Sequence, residues 1–364
     1  MAEGIDAEKE RTMKRILLIV NIIILTIGVC GGPLILRLYF IHGGSRVWLS
    51  SALQTAGFPI ILLPLTIAYI IRRRDFSSTT TTNGEKPKMV NMKLPLFLAS
   101  SFVGLLLGVD DYLYSYGVAR LPVSTSALII ASQLAFTAIF AFFMVKQKFT
   151  AFSINAVFLL TLASGVLAMH SSGDRPAGEN SKQYLMGFIM TLLAAMLYGF
   201  VLPLVELVYK KTKQDITFAV VLEIQFVMSL VATIFAVIGM IINHDFKVIS
   251  REARNYGLGE ATYYVVLVVS AIIWQFSFLG SLGVIYCASS LLSGIMIAVS
   301  VPITEVLAII FYKERFKAEK GISLVLAAWG FVSYFYGEYN QAKQIPNEPI
   351  PESELAQNHS VLEP

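Results

Sequence analysis

Charge is scarce in this chain. Asp, Glu, Lys and Arg make up 14% of its 364 residues, against 56% hydrophobic side chains, and the mean hydropathy is +0.68. Too few polar side chains are present to coat a water-facing globule, which argues against a soluble enzyme. Cysteine is nearly absent: Cys30 and Cys287 both sit in apolar stretches, so no disulfide framework exists and small buried hydrophobes are the default reading. The four histidines, His42, His170, His244 and His359, fall in loops or tails, so the apolar runs supply neither a metal cluster nor a Ser-His dyad. No GxxxxGK[ST] motif occurs, which excludes an ATP motor within the chain. A net charge of +4 gives no nucleic-acid footprint, and no cofactor is implied.

What remains is apolar sequence in long runs. At about 20 residues per crossing the chain has room for about ten membrane helices. Charge-poor runs lie at Ile16–Phe40, Val47–Ile71, Leu94–Val118, Val123–Val145 and Phe152–Met169, then at Tyr184–Tyr209, Ile216–Ile242, Ala261–Val284, Ser289–Tyr312 and Ile322–Tyr336. The first is too long for a signal-peptide core and reads as a retained span. The segment HSSGDRPAGENSKQ divides the two sets, and DFSSTTTTNGEKPK and the C-terminal tail are too polar to fold alone. The division is therefore a cytosolic segment 1–15, a five-helix unit 16–170, a polar loop 171–183, a second unit 184–339 and a disordered cytosolic tail 340–364.

Lys and Arg set the orientation. Lys14, Arg15, Arg72, Arg73, Arg74, Lys93, Lys146 and Lys148 share one side in the first unit, which puts both termini in the cytosol. The second unit carries the opposite, weaker bias.

The two units repeat one another. Lys146-Gln147-Lys148-Phe149-Thr150-Ala151 falls on Lys313-Glu314-Arg315-Phe316-Lys317-Ala318, and at the same offset Ser126, Ile130, Gln133 and Thr137 fall on Ser293, Ile297, Ser300 and Thr304, a polar stripe at helical spacing. An odd number of crossings per unit inverts the second relative to the first. Inverted repeats are a transporter architecture with substrate bound at the interface near the midplane. The fold class expected is thus all-α and integral to the membrane, with ten helices in two inverted five-helix repeats.

Polar groups at membrane depth are the candidate site. A carboxylate near the bilayer centre costs about 3 kcal/mol unless paired, neutral or wet. Glu223 and Glu305 lie inside runs, and Glu206 stands four residues before Lys210, where a salt bridge is the simpler account. These three are the candidates for proton coupling. Asp110 and Asp111 come late in the third run and could mark its watery end. Gln54, Gln133, Gln225 and Gln275, with Trp274 beside the last and Tyr116, form a candidate lining for a flat heterocycle: amides pair with its edge and an indole stacks on its face. Each amide serves equally as glue between helices, and Tyr112, Tyr114 and Tyr116 suit an interfacial belt. Gly31, Gly32 and Pro33 interrupt the first run as a hinge or cavity wall, and Gly57, Pro59 and Pro64 interrupt the second.

The stretches NIIILTIGVCGGPLILRLYF, TAGFPIILLPL, DDYLYSYGVARLPVSTSALIIASQLAFTAIFAFFMVKQKFT, LPLVELVYKK and VPITEVLAIIFYKERFKAEKGISLVLAAWGFVSYFYGEY resemble the plant purine permease family of the drug/metabolite transporter superfamily. The resemblance covers about Ile16 to Tyr339. It implies the ten-helix fold of that superfamily and proton-coupled uptake at the plasma membrane of adenine-like bases, cytokinins or other purine derivatives. Alkaloids such as nicotine, or vitamin B6 compounds, are the alternative substrates. The partners expected are a small heterocycle, protons and lipid; the sequence is silent on oligomeric state and gives no sign of catalysis.

Overall fold

The computed structural model describes residues 2–78, 90–121, 130, 132–169, 181–312 and 318–344. Among them the secondary structure is helical throughout. The elements are α1 (Ala2–Ile41), α2 (Val47–Thr55), a 3-10 turn (Phe58–Ile61), α3 (Leu62–Ser78), α4 (Leu94–Val118), α5 (Gln133–Val145), α6 (Ala151–Met169), α7 (Ser181–Lys211), α8 (Phe218–Ile242), α9 (Phe246–Arg254), α10 (Glu260–Cys287), α11 (Ser290–Tyr312) and α12 (Ala318–Gln344). Seven helical segments are long and apolar enough to cross a membrane, and α5 and part of α6 are shorter apolar helices. Ile16, Ile19, Phe102, Phe143, Val268 and Trp329 are among many large apolar side chains exposed on the outside of the bundle. An outward apolar surface around a core containing buried Ser, Thr, Gln and Asp side chains suits lipid as the solvent. The chain is a multi-span membrane protein.

The expected runs match these helices closely, with four main differences. Helix α1 begins at Ala2, ahead of the expected start at Ile16. The second run breaks where Gly57 and Pro59 stand, into α2, the 3-10 turn and α3. The last helix continues to Gln344, because Gln341, Ala342 and Lys343 are good helix formers. A short helix, α9, forms in the loop after α8, with Phe246, Ile249 and Ala253 at helical spacing between basic residues. The start of the fourth run, Ser126, the block Lys313–Lys317, and the segments 79–89, 170–180 and 345–364 lie outside the described residues.

Helices from the two halves interleave. Helix α1 packs along α10 and against α11; α4 packs on α7, α8 and α2; α5 packs on α7 and α11; α6 packs on α12. In hydrocarbon there is little hydrophobic gain from joining helices, so close backbone approach has to supply the contact. The α1–α10 seam shows how. A Cβ at Gly28 would stand 2.1 Å from the Ser277 backbone nitrogen, and one at Gly280 would stand 2.4 Å from that of Leu25. Gly31 and Gly32, expected as hinge or cavity wall with Pro33, lie on the same seam, against Ile273 and the Trp274 ring, and α1 runs through Pro33 as one helix.

A second device ties the seam at one end of the bundle. Glu252 of α9 is buried and accepts hydrogen bonds from the Tyr39 hydroxyl (2.6 Å), the Tyr263 hydroxyl (3.0 Å), and the Ser45 hydroxyl and backbone nitrogen. The Arg46 guanidinium lies 3.7 Å from both Glu252 and Asp245. Burial pushes the Asp245 carboxyl above its usual range, against the pull of Asn243 and Arg46. A buried carboxylate is tolerable here because donors surround it.

Two outcomes follow from these packings. Gly28→Val drives a side chain into the backbone of α10 and lowers stability by about 1–3 kcal/mol, read as a drop in melting temperature of the detergent-purified protein. Tyr39→Phe removes a donor to Glu252 and an acceptor from the Arg46 backbone nitrogen, costing about 1.5–3 kcal/mol in the same measurement.

Candidate functional site

The inner face of α4 carries the most unusual chemistry in the bundle. Asp110 and Asp111 are 6% and 2% exposed, so neither marks a watery helix end; both stand about two turns inside α4. Helical spacing puts Tyr114 on the face of Asp110 and Ser115 on that of Asp111. Gln54 of α2 fixes the second face: its amide nitrogen donates to the Asp111 backbone oxygen (3.1 Å) and the Ser115 hydroxyl (2.9 Å).

The first face meets an aromatic wall. Tyr114 packs edge-on against Trp274 of α10, centroids 5.8 Å apart. Trp274 stacks toward Phe278 at 6.3 Å, and Phe278 meets Tyr198 of α7 at 6.2 Å. Tyr198 neighbours Ser281 and both carboxyls, and the Ser281 and Ser293 hydroxyls lie 2.8 Å apart, joining α10 to α11. The Trp274 ring fits because Gly32 stands opposite: a Cβ there would meet the indole at 2.8 Å.

Several buried polar atoms in this region have no hydrogen-bond partner among the described residues: Asp110 Oδ1, Asp111 Oδ2, Trp274 Nε1 and both amide atoms of Gln275. Among the described residues no Lys, Arg or His bears on either carboxyl. Each orphaned neutral group costs about 1–3 kcal/mol, and a charged carboxyl about 3 kcal/mol at this depth. Native structures keep such groups where a proton, water or ligand completes them.

The other expected residues divide. Gln275 stands beside Gly57, whose Cβ would meet its own at 3.0 Å, and so faces the α2 break rather than the wall. Gln225 is fully buried; its amide nitrogen donates to Ser229 at 2.8 Å while Oε1 is unpaired. Gln133 opens α5, and its backbone oxygen accepts from Thr137. Tyr116 lies under the Arg120 guanidinium at 3.5 Å, in a string running through Tyr112 to Trp48 and away from Trp274.

Among the acids, Glu223 accepts from the backbone nitrogens of Asn91 (3.0 Å) and Met92 (2.8 Å), closing the entry to α4. Glu206 pairs with Lys210 at 2.7 Å and accepts from the Ser290 backbone nitrogen, also 2.7 Å, at the start of α11. Both lie where helix N-termini favour negative charge. Glu305 is in α11, its side chain outside the described residues. A cavity of about 570 Å3 opens beside the Glu223 cap, lined by Ile71, Arg72, Asn91, Gln214, Asp215 and Thr217 among others; none of the expected site residues lines it.

Sequence reasoning left Tyr198, Phe278 and Ser281 unassigned. The only signal for the last two was spacing, since Trp274, Phe278 and Ser281 recur at four and three residues along α10, and Tyr198 on α7 had none.

Known proteins resemble this chain along its length. Residues 16–344 match a family described as purine nucleobase transmembrane transport. The chain is 55% identical to purine permease 3 of Arabidopsis thaliana over 352 residues, 97% of this chain and 99% of that protein. It is 51% identical to purine permease 2 of the same plant over 354 residues, 94% and 98% of the two chains. A solved crystal structure superposes with a TM-score of 0.56 over 89% of this chain and 96% of the other, at 12% identity, a likeness of fold alone. With a family match that begins in the first membrane helix and ends in the last, and relatives alike over nearly their whole length, the chain belongs to the plant purine permease family.

Proposed function

We propose that this chain is a proton-coupled secondary transporter that imports adenine-like purines, cytokinins or related purine derivatives across the plasma membrane, with both termini in the cytosol. The observation that carries the reading is the Tyr114–Trp274–Phe278–Tyr198 wall, in which the buried Trp274 indole N–H has no acceptor among the described residues. A purine is flat, offers a π-face to the indole, and presents N–H donors and ring-nitrogen acceptors at its edge. Stacking on an aromatic side chain is worth about 1–3 kcal/mol per base, and the Trp274 indole N–H gains a ring-nitrogen acceptor when the base arrives. Gln225 and Gln133 are the amides offered to the polar edge in this reading, and Gln275, turned to the α2 break, lies outside it. The relatives' names, purine permeases, support the substrate class.

The helix pairing supports two inverted five-helix repeats. Exchange α1 with α7, α2 with α8, α4 with α10, α5 with α11 and α6 with α12. The pair α1·α10 then becomes α7·α4, α4·α8 becomes α10·α2, α5·α7 becomes α11·α1, and α2·α4 becomes α8·α10, all of which are packed pairs; α6·α12, α2·α8 and α5·α11 map onto themselves. The stripe expected to repeat on α5 and α11 has matching local geometry: Thr137 donates to the Gln133 backbone oxygen at 2.9 Å, and Thr304 to that of Ser300 at 2.8 Å. Such a pseudo-twofold supports alternating access around a site between the repeats.

Coupling to protons requires a carboxyl that changes its charge during transport. Of those expected to do so, Glu223 and Glu206 are committed to helix ends, and Glu305 stands one turn after Pro302 in α11. A second reading, uptake of protonated alkaloids, draws on one observation: an acidic pair without a cation would also receive a ligand's ammonium.

Adenine uptake into cells lacking their own nucleobase carrier is expected to rise as external pH falls and to collapse with a protonophore; uptake indifferent to both removes proton coupling, and labelled nicotine accumulating in place of adenine selects the second reading. Trp274→Ala is expected to reduce adenine uptake about ten-fold, with Trp274→Phe close to the parent, as stacking of about 1–3 kcal/mol requires; equal uptake by the alanine variant at equal surface abundance moves the substrate away from this wall.

A further inference from the structure

Asp110 and Asp111 are buried in the bundle, each with a carboxyl oxygen that no donor among the described residues reaches. The groups around them can be enumerated. On α4 itself Tyr114 faces Asp110. From α7 comes the Tyr198 phenol. From α10 come Trp274 and Ser281, grouped through Tyr114 and Tyr198. From α2 comes Gln54, whose amide is taken up by the Asp111 backbone oxygen and Ser115. Helix α8 meets α4 through Met228, Ala232 and Phe235, which do not titrate. Among the described residues the surroundings therefore supply hydroxyls and an indole N–H but no cation.

Two neighbouring carboxylates in such a place cannot both hold a negative charge, because each raises the cost of the other and neither has a counter-ion. Glu206 has Lys210 and the Ser290 backbone nitrogen; Glu223 has Asn91 and Met92. Their charges are matched to fixed donors, so protonating them would undo helix caps. The Asp pair has no such matched donors, and it abuts the wall assigned to the substrate.

We propose that the Asp110–Asp111 pair is the coupling site, binding the proton that travels with the substrate. The inference rests on the transport reading above. A proton taken up from the outer side neutralises the pair and lets the loaded site close. Its release to the cytosolic side recharges the pair, and the Tyr114 and Tyr198 hydroxyls are the donors at hand while the emptied site resets. Proton and substrate leave on the same side, and no bond other than O–H is made or broken.

The test uses the purified full-length chain in liposomes with two assays: uphill accumulation of labelled adenine driven by a pH gradient, and counterflow of labelled against unlabelled adenine with no gradient. Asn is isosteric with the protonated acid, so D110N, D111N and the double variant keep the shape of the resting site. The expected result is that the double variant loses uphill accumulation about ten-fold or more, the gradient being the only driving force, while counterflow stays within about three-fold. A pH-sensitive dye inside the vesicles registers acidification on adding adenine to the parent and none with the double variant. E206Q and E223Q are expected to keep uphill accumulation wherever they keep counterflow.

Unchanged accumulation in the double variant overturns the proposal. So does loss of counterflow together with accumulation, which makes the pair a substrate or structural site. Loss of coupling in E206Q, E223Q or E305Q with counterflow intact, while the Asp variants stay coupled, also overturns it, and E206Q and E223Q keep the question decidable if the Asp variants fail to fold. If the parent chain shows neither accumulation nor counterflow, the transport reading itself falls, a result separate from all of these.

Discussion

Water is absent from the hydrocarbon region, and nearly every feature of this chain answers to that constraint. A buried donor or acceptor there must find its partner in the protein or leave a place for something to bring one. Most of the buried polar side chains take the first course. Ser100, Thr137, Thr191, Ser300 and Thr304 turn back on the carbonyl four residues earlier in their own helices. Glu252, Glu223 and Glu206 each gather several donors. Against that background, Asp110 and Asp111 are neighbouring acids that each keep a buried oxygen without a partner among the described residues.

The same constraint explains why glycine matters more here than large apolar residues do. Lipid tails are as apolar as Leu, so burying Leu between helices gains little over exposing it to the bilayer. Backbone approach at Gly28 and Gly280 brings α1 and α10 close enough for dispersion to hold them. The Glu252 cluster then fixes the register of that pair at one end. Trp274, one turn from the seam's centre, is seated by Gly32 and aimed across to α4.

Much of the fold was legible in the sequence because hydropathy and helix length are local properties. The apolar run at Leu94–Val118 becomes α4 to the residue and that at Ala261–Val284 becomes α10 to within three residues, and the break at Gly57–Pro59 follows from backbone chemistry. The salt bridge of Glu206 with Lys210 was readable from their spacing for the same reason. The site was legible only in parts. Trp274 was singled out by type, but its neighbours Tyr198 and Phe278 depend on how α7 meets α10, which spacing along one helix does not encode. Glu223 looked like a lone acid inside a span; its partners, Asn91 and Met92, are more than a hundred residues away along the chain. Asp110 and Asp111 read as a helix end because they lie near one in sequence, and only the packing of α2, α7 and α8 around α4 buries them.

The arrangement at the α1–α10 seam has a bearing on what counts as a unit of this molecule. Helix α1 belongs to the first half of the chain and α10 to the second, yet they share glycine-lined backbone contact and the Glu252 knot; α4 and α7 are likewise drawn from opposite halves. The main apolar cluster of the core draws residues from both. A gene split at the polar loop between the halves would therefore yield two fragments, neither holding its own interior, that become stable only by threading through each other; assembly of the pair is written into the chain as a single event.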